Sequence, residues 1–305
     1  MNYTLHQLQV FLKITQTKSI TKAAEALHLT QPAVSIQLRN FQDQFDIPLT
    51  EIVGKQLYVT DFGREIALAA ENIINEVHSI NYKTLAYKGI LSGKLKISAV
   101  STGKYVMPYF LSKFINVNSG IEFEVDVTNK AKVIKSLLNN EVDFALVSTV
   151  PDDVKVESEL LMKNDLYLIA NKDFDSKPTI KDMLSQVPLL YRETGSATRI
   201  SMENFLLANK INPNTKIQLT SNEAVKQAVI AGLGLSIMPL IGIKNELENG
   251  ELKIVPVPKL PITTNWRLIW LKSKKMSPVA NAYLEFVKQN KEEIYSNSFS
   301  WIESY

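Results

Sequence analysis

The stretch SITKAAEALHLTQPAVSIQLRNFQ, Ser19 to Gln42, decides how the front of this 305-residue chain folds. Ser19 or Thr21 can cap a helix whose inward face is Ala23, Ala24 and Leu27. Alanines on that face let a second helix approach closely. His28 and Leu29 then mark a turn. Thr30 is a good N-cap, and Pro32 falls in the first turn, where its missing N–H matters little. A further helix is predicted to run to about Phe45. Its inward face is Val34, Leu38, Phe41 and Phe45, and its outward face is Gln31, Ser35, Arg39 and Gln42, with Pro32 and Gln37 beside it.

Upstream, Leu5, Leu8, Phe11, Leu12 and Ile14 recur at helical spacing, which makes three helices in all. Fifteen helical residues span roughly 22 Å, enough to lie in a DNA major groove. Gln, Ser and Arg address base edges or phosphates, and short side chains near the helix start permit close approach. A three-helix protein–protein module with a solvated polar face fits the same periodicity. Charge does not decide between them. Net charge is only +3, and the first 88 residues carry eight Lys+Arg against eight Asp+Glu. Hydrophobic residues make up 45%, enough for more than one core. The absence of cysteine rules out disulfides, thiolate metal sites and cysteine nucleophiles. The opening MNYTLHQLQVFLKITQ lacks the apolar core of a signal peptide, and no run approaches 18 apolar residues. A soluble cytoplasmic protein with no membrane partner is expected.

The pattern Ser19-Ile-Thr-x-Ala-Ala-x-x-Leu-x-x-Thr30-Gln-Pro-Ala-Val-Ser35-x-Gln-Leu resembles the N-terminal signature of LysR-type transcriptional regulators. The resemblance implies a winged helix–turn–helix over 1–60 whose recognition helix begins near Thr30. Gln31, Pro32, Ser35 and Arg39 would then face double-stranded operator DNA, with Gln37 and Thr21 alongside. Ser19 and Thr30 would cap helices and touch phosphate. The wing departs from the family's Leu-Phe-x-Arg. It reads Leu49-Thr50-Glu51-Ile52, which leaves Lys55 as its cation. Fewer neutralised phosphates imply weaker non-specific binding than in a basic relative.

From Asp61 to about Lys88 the sequence has no proline and predicts one helix of roughly 40 Å, capped by Thr60 or Asp61. Phe62, Ile66, Ala69, Ile73, Val77 and Ile80 form a narrow apolar stripe, as in a two-helix seam; packing on its own domain is the other reading. The resemblance favours a dimerisation helix over 61–90 carrying Ile66, Ala69, Ile73, Val77 and Ile80. It implies a homodimer or homotetramer.

Gly89-Ile-Leu-Ser-Gly93 breaks the helix. Beyond it, strands near 94–100, 121–127, 143–148, 166–171, 188–191, 216–219, 235–239, 253–257 and 266–271 alternate with amphipathic helices. Those helices fall near 104–117, 130–139, 180–186, 197–209, 222–231, 240–247 and 278–290. This alternation predicts α/β structure with largely parallel sheets. The resemblance implies a two-lobed periplasmic-binding-protein-like (type 2) effector domain over 91–305. Lobe one would be 91–161 with 266–305, and lobe two 162–265. The chain is thus expected to be multi-domain: an all-α winged helix–turn–helix, a long linker helix, then the α/β effector domain.

Ligands in such folds bind at strand carboxyl ends and helix N-termini. Ser101-Thr102-Gly103 and Thr128-Asn129 both follow a strand and open a helix. Arg192-Glu193-Thr-Gly195-Ser196-Ala-Thr198-Arg199 does the same in lobe two, and Ser221-Asn222 is a fourth helix start. With Ser148, at the end of its strand, these are the candidate effector residues. Helix capping alone explains each of them equally well. The Arg-Glu-x-Gly-Ser-x-Thr-Arg run resembles a branch that includes regulators of carbon fixation and sulfur metabolism, whose members sense small, mostly anionic metabolites.

Enzymatic function is not expected. All three histidines, His6, His28 and His78, lie in the first 90 residues, so the α/β part has neither His nor Cys. No nucleophile elbow, P-loop or metal cluster stands out, and no cofactor or metal is implied. A ligand-responsive regulator is the reading, with a solute-binding-protein-like sensor without direct DNA readout as the alternative. RNA polymerase would be a further partner if the protein activates.

Overall fold

A computed structural model describes residues 2–54, 56–86, 91–175 and 179–305. They form two compact units, Met1–Ile90 and Leu91–Tyr305. Lys55, and residues 87–90 of the predicted helix end and break, lie outside the described residues.

The first unit opens with α1 (Leu5–Thr17), α2 (Ile20–Leu27) and α3 (Gln31–Gln42). Local capping explains the boundaries. The Ser19 hydroxyl accepts from Lys22 N at 3.3 Å and starts α2. His28, in the left-handed conformation (φ 54°), ends it. Thr30 accepts from Ala33 N and starts α3, with Pro32 in its first turn. Phe11, Ile14, Ala23, Val34 and Phe41 are fully buried between the three helices. Burying each large apolar side chain contributes about 1.5–3 kcal/mol, so this small core holds the unit.

The third helix ends at Gln42, three residues before Phe45. Phe45 folds back instead into an aromatic cluster, stacked on Tyr3 and edge-on to Phe41 and Phe62. A wing follows, β1 (Thr50–Val53) antiparallel to β2 (Gln56–Val59), with Gly54 (φ +66°) in its turn.

Helix α4 (Asp61–Ala86) is capped by the Thr60 hydroxyl, which accepts from Gly63 N at 2.9 Å. The predicted apolar stripe divides along it. Ile66 packs with Phe62, Ala67, Ala70 and Ile74 against the three-helix core. The first turns of α4 thus face their own unit, and Ile66 is half-buried there. Val77 is half-buried, while Ala69, Ile73 and Ile80 are exposed.

The second unit runs β3 (Gly93–Val100), a 3-10 turn (Ser101–Tyr105), α5 (Met107–Val117), β4 (Ile121–Thr128), α6 (Lys130–Leu138), β5 (Phe144–Val147), β6 (Val156–Asn171) and α7 (Ile180–Gln186). It continues through β7 (Leu189–Arg192), α8 (Ala197–Ala208), β8 (Lys216–Leu219), α9 (Asn222–Ile230), β9 (Ser236–Pro239), α10 (Lys244–Glu248), β10 (Leu252–Ile254), β11 (Ile262–Leu271) and α11 (Pro278–Ser298). The main sheet has the order β10-β6-β11-β5-β3-β4, with β9 also on β6, while β7 and β8 pair separately. β3 is parallel to β4 and β5, but β11 runs antiparallel to both β5 and β6. The expected largely parallel sheet is therefore mixed.

The long antiparallel β6–β11 pair runs from Ile262 opposite Leu166 to Leu271 opposite Val156, with a register shift between Trp266 and Arg267, and carries the chain through both lobes. Leu161, Met162 and Trp266 sit in one core with Phe110, Phe144 and Tyr283. Leu166, Leu168 and Ala170 sit in another with Leu189, Met202 and Leu235. The C-terminal residues are ordered rather than trailing. α11 continues to Ser298, and Phe299 is buried against Tyr109 and Phe110. The Lys244 ammonium lies 5.0 Å from the Trp301 ring, and Tyr167 donates to the Tyr305 carbonyl. The aromatic tail thus touches the cores of both lobes.

Candidate functional site

Two regions hold the candidate residues, one in each unit. On the first, α3 presents Gln31, Pro32 and Arg39 to solvent, with Ser35 and Gln37 half-buried on the same helix. The Arg39 side chain is 83% exposed and meets Asp43 only at 3.9 Å, so its guanidinium is available to an external acceptor. Thr21 is exposed, and Ser19 and Thr30 are engaged as caps. Gln42, read as outward-facing, is half-buried and turned onto the wing, where it accepts from Thr50 N (3.1 Å) and Thr50 Oγ1 (2.9 Å). Lys55, the one cation assigned to the wing, lies outside the described residues.

In the second unit, Ser101, Thr102, Ser196 and Thr198 line a single small cleft between the lobes. Asn129, Lys130 and Arg192 line it with them. Asn129 caps α6 by accepting from Lys132 N at 3.0 Å, and Ser196 caps α8 by accepting from Arg199 N at 3.5 Å. Both helix N-termini therefore open at the cleft, each carrying roughly half a positive charge. Gly195, in the left-handed region (φ +87°), turns the chain into α8. A Cβ there would lie 3.5 Å from Ala131 Cβ across the cleft.

Arg192 is the central side chain, only 4% exposed. Its guanidinium donates to both Glu193 oxygens, at 2.8 and 3.0 Å, and reaches across to Ser101 Oγ at 3.1 Å. Ser101 in turn donates to the Thr128 carbonyl at 3.2 Å. Lys130 donates to Thr149 Oγ1 at 2.8 Å. Burial pulls its pKa below the ordinary lysine value, against the attraction of Asp152 and Asp153. A half-buried cation whose charged form is under-solvated is one that a bound anion would stabilise.

Other candidates fall outside this cleft. Arg199 points along its own lobe to Glu203 (2.8 Å), Gln218 (2.6 Å) and the Arg192 carbonyl (3.1 Å), over the Tyr191 ring. This arrangement answers the electrostatic problem of a cation in the first turn of a helix. Ser148 is buried beyond the lining residues. Ser221 caps α9. Asn222 donates to the Tyr105 hydroxyl at 3.4 Å, which donates to Glu223 at 3.3 Å, making a second tie between lobes. Behind it Lys226 bridges Glu223 and Glu246 at 2.9 and 2.6 Å. Burial opposes the Lys226 charge, but the two carboxylates outweigh it and hold its pKa above the usual value.

Sequence reasoning named Asn129 and Arg192 within the candidate runs but left Lys130 out. Asn129 was legible as a helix start. Lys130 carried no signal, since a lysine at the first helical position reads as solvated.

Comparison with known proteins places both regions in one family. Residues 5–64 match the model of the bacterial regulatory helix-turn-helix protein of the lysR family, and residues 88–292 match the LysR substrate binding domain. A RuBisCO operon transcriptional regulator of Allochromatium vinosum is 37% identical over 94% of this chain and 96% of its own length. The Synechocystis CcmR regulatory domain, solved in complex with 2-PG, is 28% identical over 66% of this chain and 98% of that domain, with a TM-score of 0.62. Full-length OxyR of Pseudomonas aeruginosa shares the fold across 97% of this chain and 95% of its own, at 20% identity and a TM-score of 0.72. No helix among the described residues is long and apolar enough to cross a membrane. The relatives are transcriptional regulators rather than enzymes, and a DNA-reading helix–turn–helix joined to an effector domain is what the two units provide. The chain belongs to the LysR family of DNA-binding transcriptional regulators, on the branch that includes regulators of carbon-fixation operons.

Proposed function

We propose that α3 enters the major groove and reads its operator through Gln31, Pro32, Ser35 and Arg39, with Gln37 and Thr21 beside them. Ser19 and Thr30 hold the helix starts against phosphate. Ala69, Ile73, Val77 and Ile80 pair α4 with a second copy, so that two recognition helices meet successive turns of a roughly two-fold operator. The working regions are residues 1–60, 61–90 and 91–305. The protein acts in the cytoplasm, and contact with RNA polymerase accompanies it if it activates.

The effector is a small anion carrying a phosphate or carboxylate, of the class of 2-phosphoglycolate, the ligand named with the CcmR domain. One observation carries this reading. The N-termini of α6 and α8, from opposite lobes, open on one cleft that also holds Arg192 and the under-solvated Lys130. Helix N-termini together with a partly desolvated cation favour an anion. An anion bound between the lobes would favour their closed arrangement and shift the population that presents the DNA-binding units. The ties Arg192–Ser101 and Tyr105–Asn222 are the contacts such a shift would rearrange.

Thermal melting with 2-phosphoglycolate tests this. A ligand at 100 times its Kd stabilises the native state by about 2.7 kcal/mol. The melt should rise in wild type, and Lys130→Gln should bind about tenfold more weakly. No rise with 2-phosphoglycolate, or equal binding by Lys130→Gln, would remove the effector assignment and leave DNA reading intact.

A further inference from the structure

We infer that Gln42 is a positioning residue for DNA binding: through Thr50 it fixes the wing against the recognition helix. Gln42 is the last residue of α3, and Thr50 is the first residue of β1. The Gln42 oxygen accepts twice, from Thr50 N at 3.1 Å and from Thr50 Oγ1 at 2.9 Å. A backbone N–H can only donate, so the amide must present its oxygen there. Both residues are half-buried. The bonds are therefore sheltered enough to hold an orientation, yet their loss leaves no deeply buried group stranded.

The same short segment is gripped from the other side. Thr60 N donates to the Leu49 carbonyl at 3.1 Å, and Thr60 Oγ1 donates to the Pro48 carbonyl at 2.7 Å. Leu49 itself is fully buried in the three-helix core. Residues 48–50 are thus anchored below by Leu49, tied to the start of α4 by Thr60, and tied to the end of α3 by Gln42. Beyond that root the described part of β1 offers no cation. Glu51 is acidic, and Ile52 and Val53 are 70% and 60% exposed. An arginine in such a strand would be drawn to phosphate and would orient the wing electrostatically. β1 supplies no such pull, and the Gln42–Thr50 bracket is the part of the hairpin's root that refers it to α3.

The inference rests on α3 being the helix that enters the groove, so its test reads the two contacts separately. Full-length protein is footprinted with hydroxyl radicals on a duplex that the wild type selects from a randomised pool. Central protections report α3, and flanking minor-groove protections report the wing. Gln42→Leu should weaken binding about tenfold, from two lost hydrogen bonds, and should fade the flanking protections while the central ones persist. Thr50→Val, which keeps the backbone donor, should do the same more mildly. Gln42→Glu keeps the accepting oxygen and should restore the flanking pattern, even where its charge lowers affinity. Flanking protections at wild-type strength in Gln42→Leu would overturn the proposal. So would equal loss of central and flanking protections in both Gln42→Leu and Thr50→Val, since the pair would then merely support the folded unit. Missing central protections in the wild type would instead refute the reading of α3, and this inference with it.

Discussion

Replacing Arg192 by methionine should loosen the effector unit and blunt the cleft at once. The guanidinium is 4% exposed and makes three hydrogen bonds, two to Glu193 and one across the cleft to Ser101. Methionine keeps much of the volume and removes every donor. Breaking a fully buried ion pair costs about 3–5 kcal/mol, because the partner's charge is left without compensation. Glu193 is 17% exposed and can recover some hydration, so a loss nearer 2–3 kcal/mol is expected on that scale. All three tryptophans, Trp266, Trp270 and Trp301, lie in the second unit. Urea unfolding followed by tryptophan fluorescence therefore reports this unit and not the helix–turn–helix. Arg192→Lys should fall between, since an ammonium keeps the charge but cannot form the two-pronged contact. A shift below about 0.5 kcal/mol in Arg192→Met would be within the range of ordinary surface substitutions. It would refute the assignment of Arg192 as the tie between lobes.

Other outcomes follow from the same geometry. Gly63→Ala would place a Cβ 2.0 Å from the Leu49 carbonyl oxygen and 3.0 Å from Val59 Cγ1. Backbone cannot yield there as a flexible side chain would, so a loss of about 1–3 kcal/mol is expected in the first unit, with DNA binding impaired in a gel-shift assay and the tryptophan melt unchanged. The pH profile of 2-phosphoglycolate binding should rise between about pH 5.5 and 7.5, as a phosphate monoester gains its second charge. It should fall again in alkali as Lys130 loses its proton, at a pH below the ordinary lysine value because burial lowers its pKa. Lys130→Gln should remove the alkaline limb, which titration calorimetry would read. Ile73→Glu combined with Ile80→Glu should yield monomers in sedimentation, because both side chains are exposed on α4 and like charges would oppose a paired seam.

How much of this was legible in the sequence differs between the units. The helix–turn–helix was, since Ser19, His28, Thr30 and Pro32 are local signals whose physics acts within one turn of chain. The apolar stripe of α4 was seen but not divided, because Ile66 and Ile73 differ only in what lies opposite them. In the α/β part, the first half of β6, Val156–Lys163, escaped. Its alternation of Glu157 and Glu159 with Val156 and Leu160 is interrupted by the Leu161-Met162 pair, where the strand passes into the core of lobe one. The helix expected at Lys104–Val117 is a 3-10 turn followed by α5, with Pro108 in the first turn of α5. α11 runs eight residues past the predicted end at Asn290, to Ser298, because Ile294 and Phe299 find buried places that only tertiary packing supplies. In the cleft, four of the candidate hydroxyl residues converge, since helix starts after strands are readable. Arg192 and Arg199 look alike in sequence and part company only through their neighbours, one buried against Ser101 and one fastened along its own helix to Glu203.

The central claim is that α3 reads base sequence. Arg39→Ala, compared by fluorescence anisotropy on a duplex selected by the wild type and on a scrambled duplex of equal length, tests it most directly. A base-reading arginine is worth about 1–3 kcal/mol at its own site and far less elsewhere. The selected duplex should therefore lose roughly five- to 150-fold in affinity, while the scrambled one changes little. Equal losses on both duplexes, or none on either, would contradict the account.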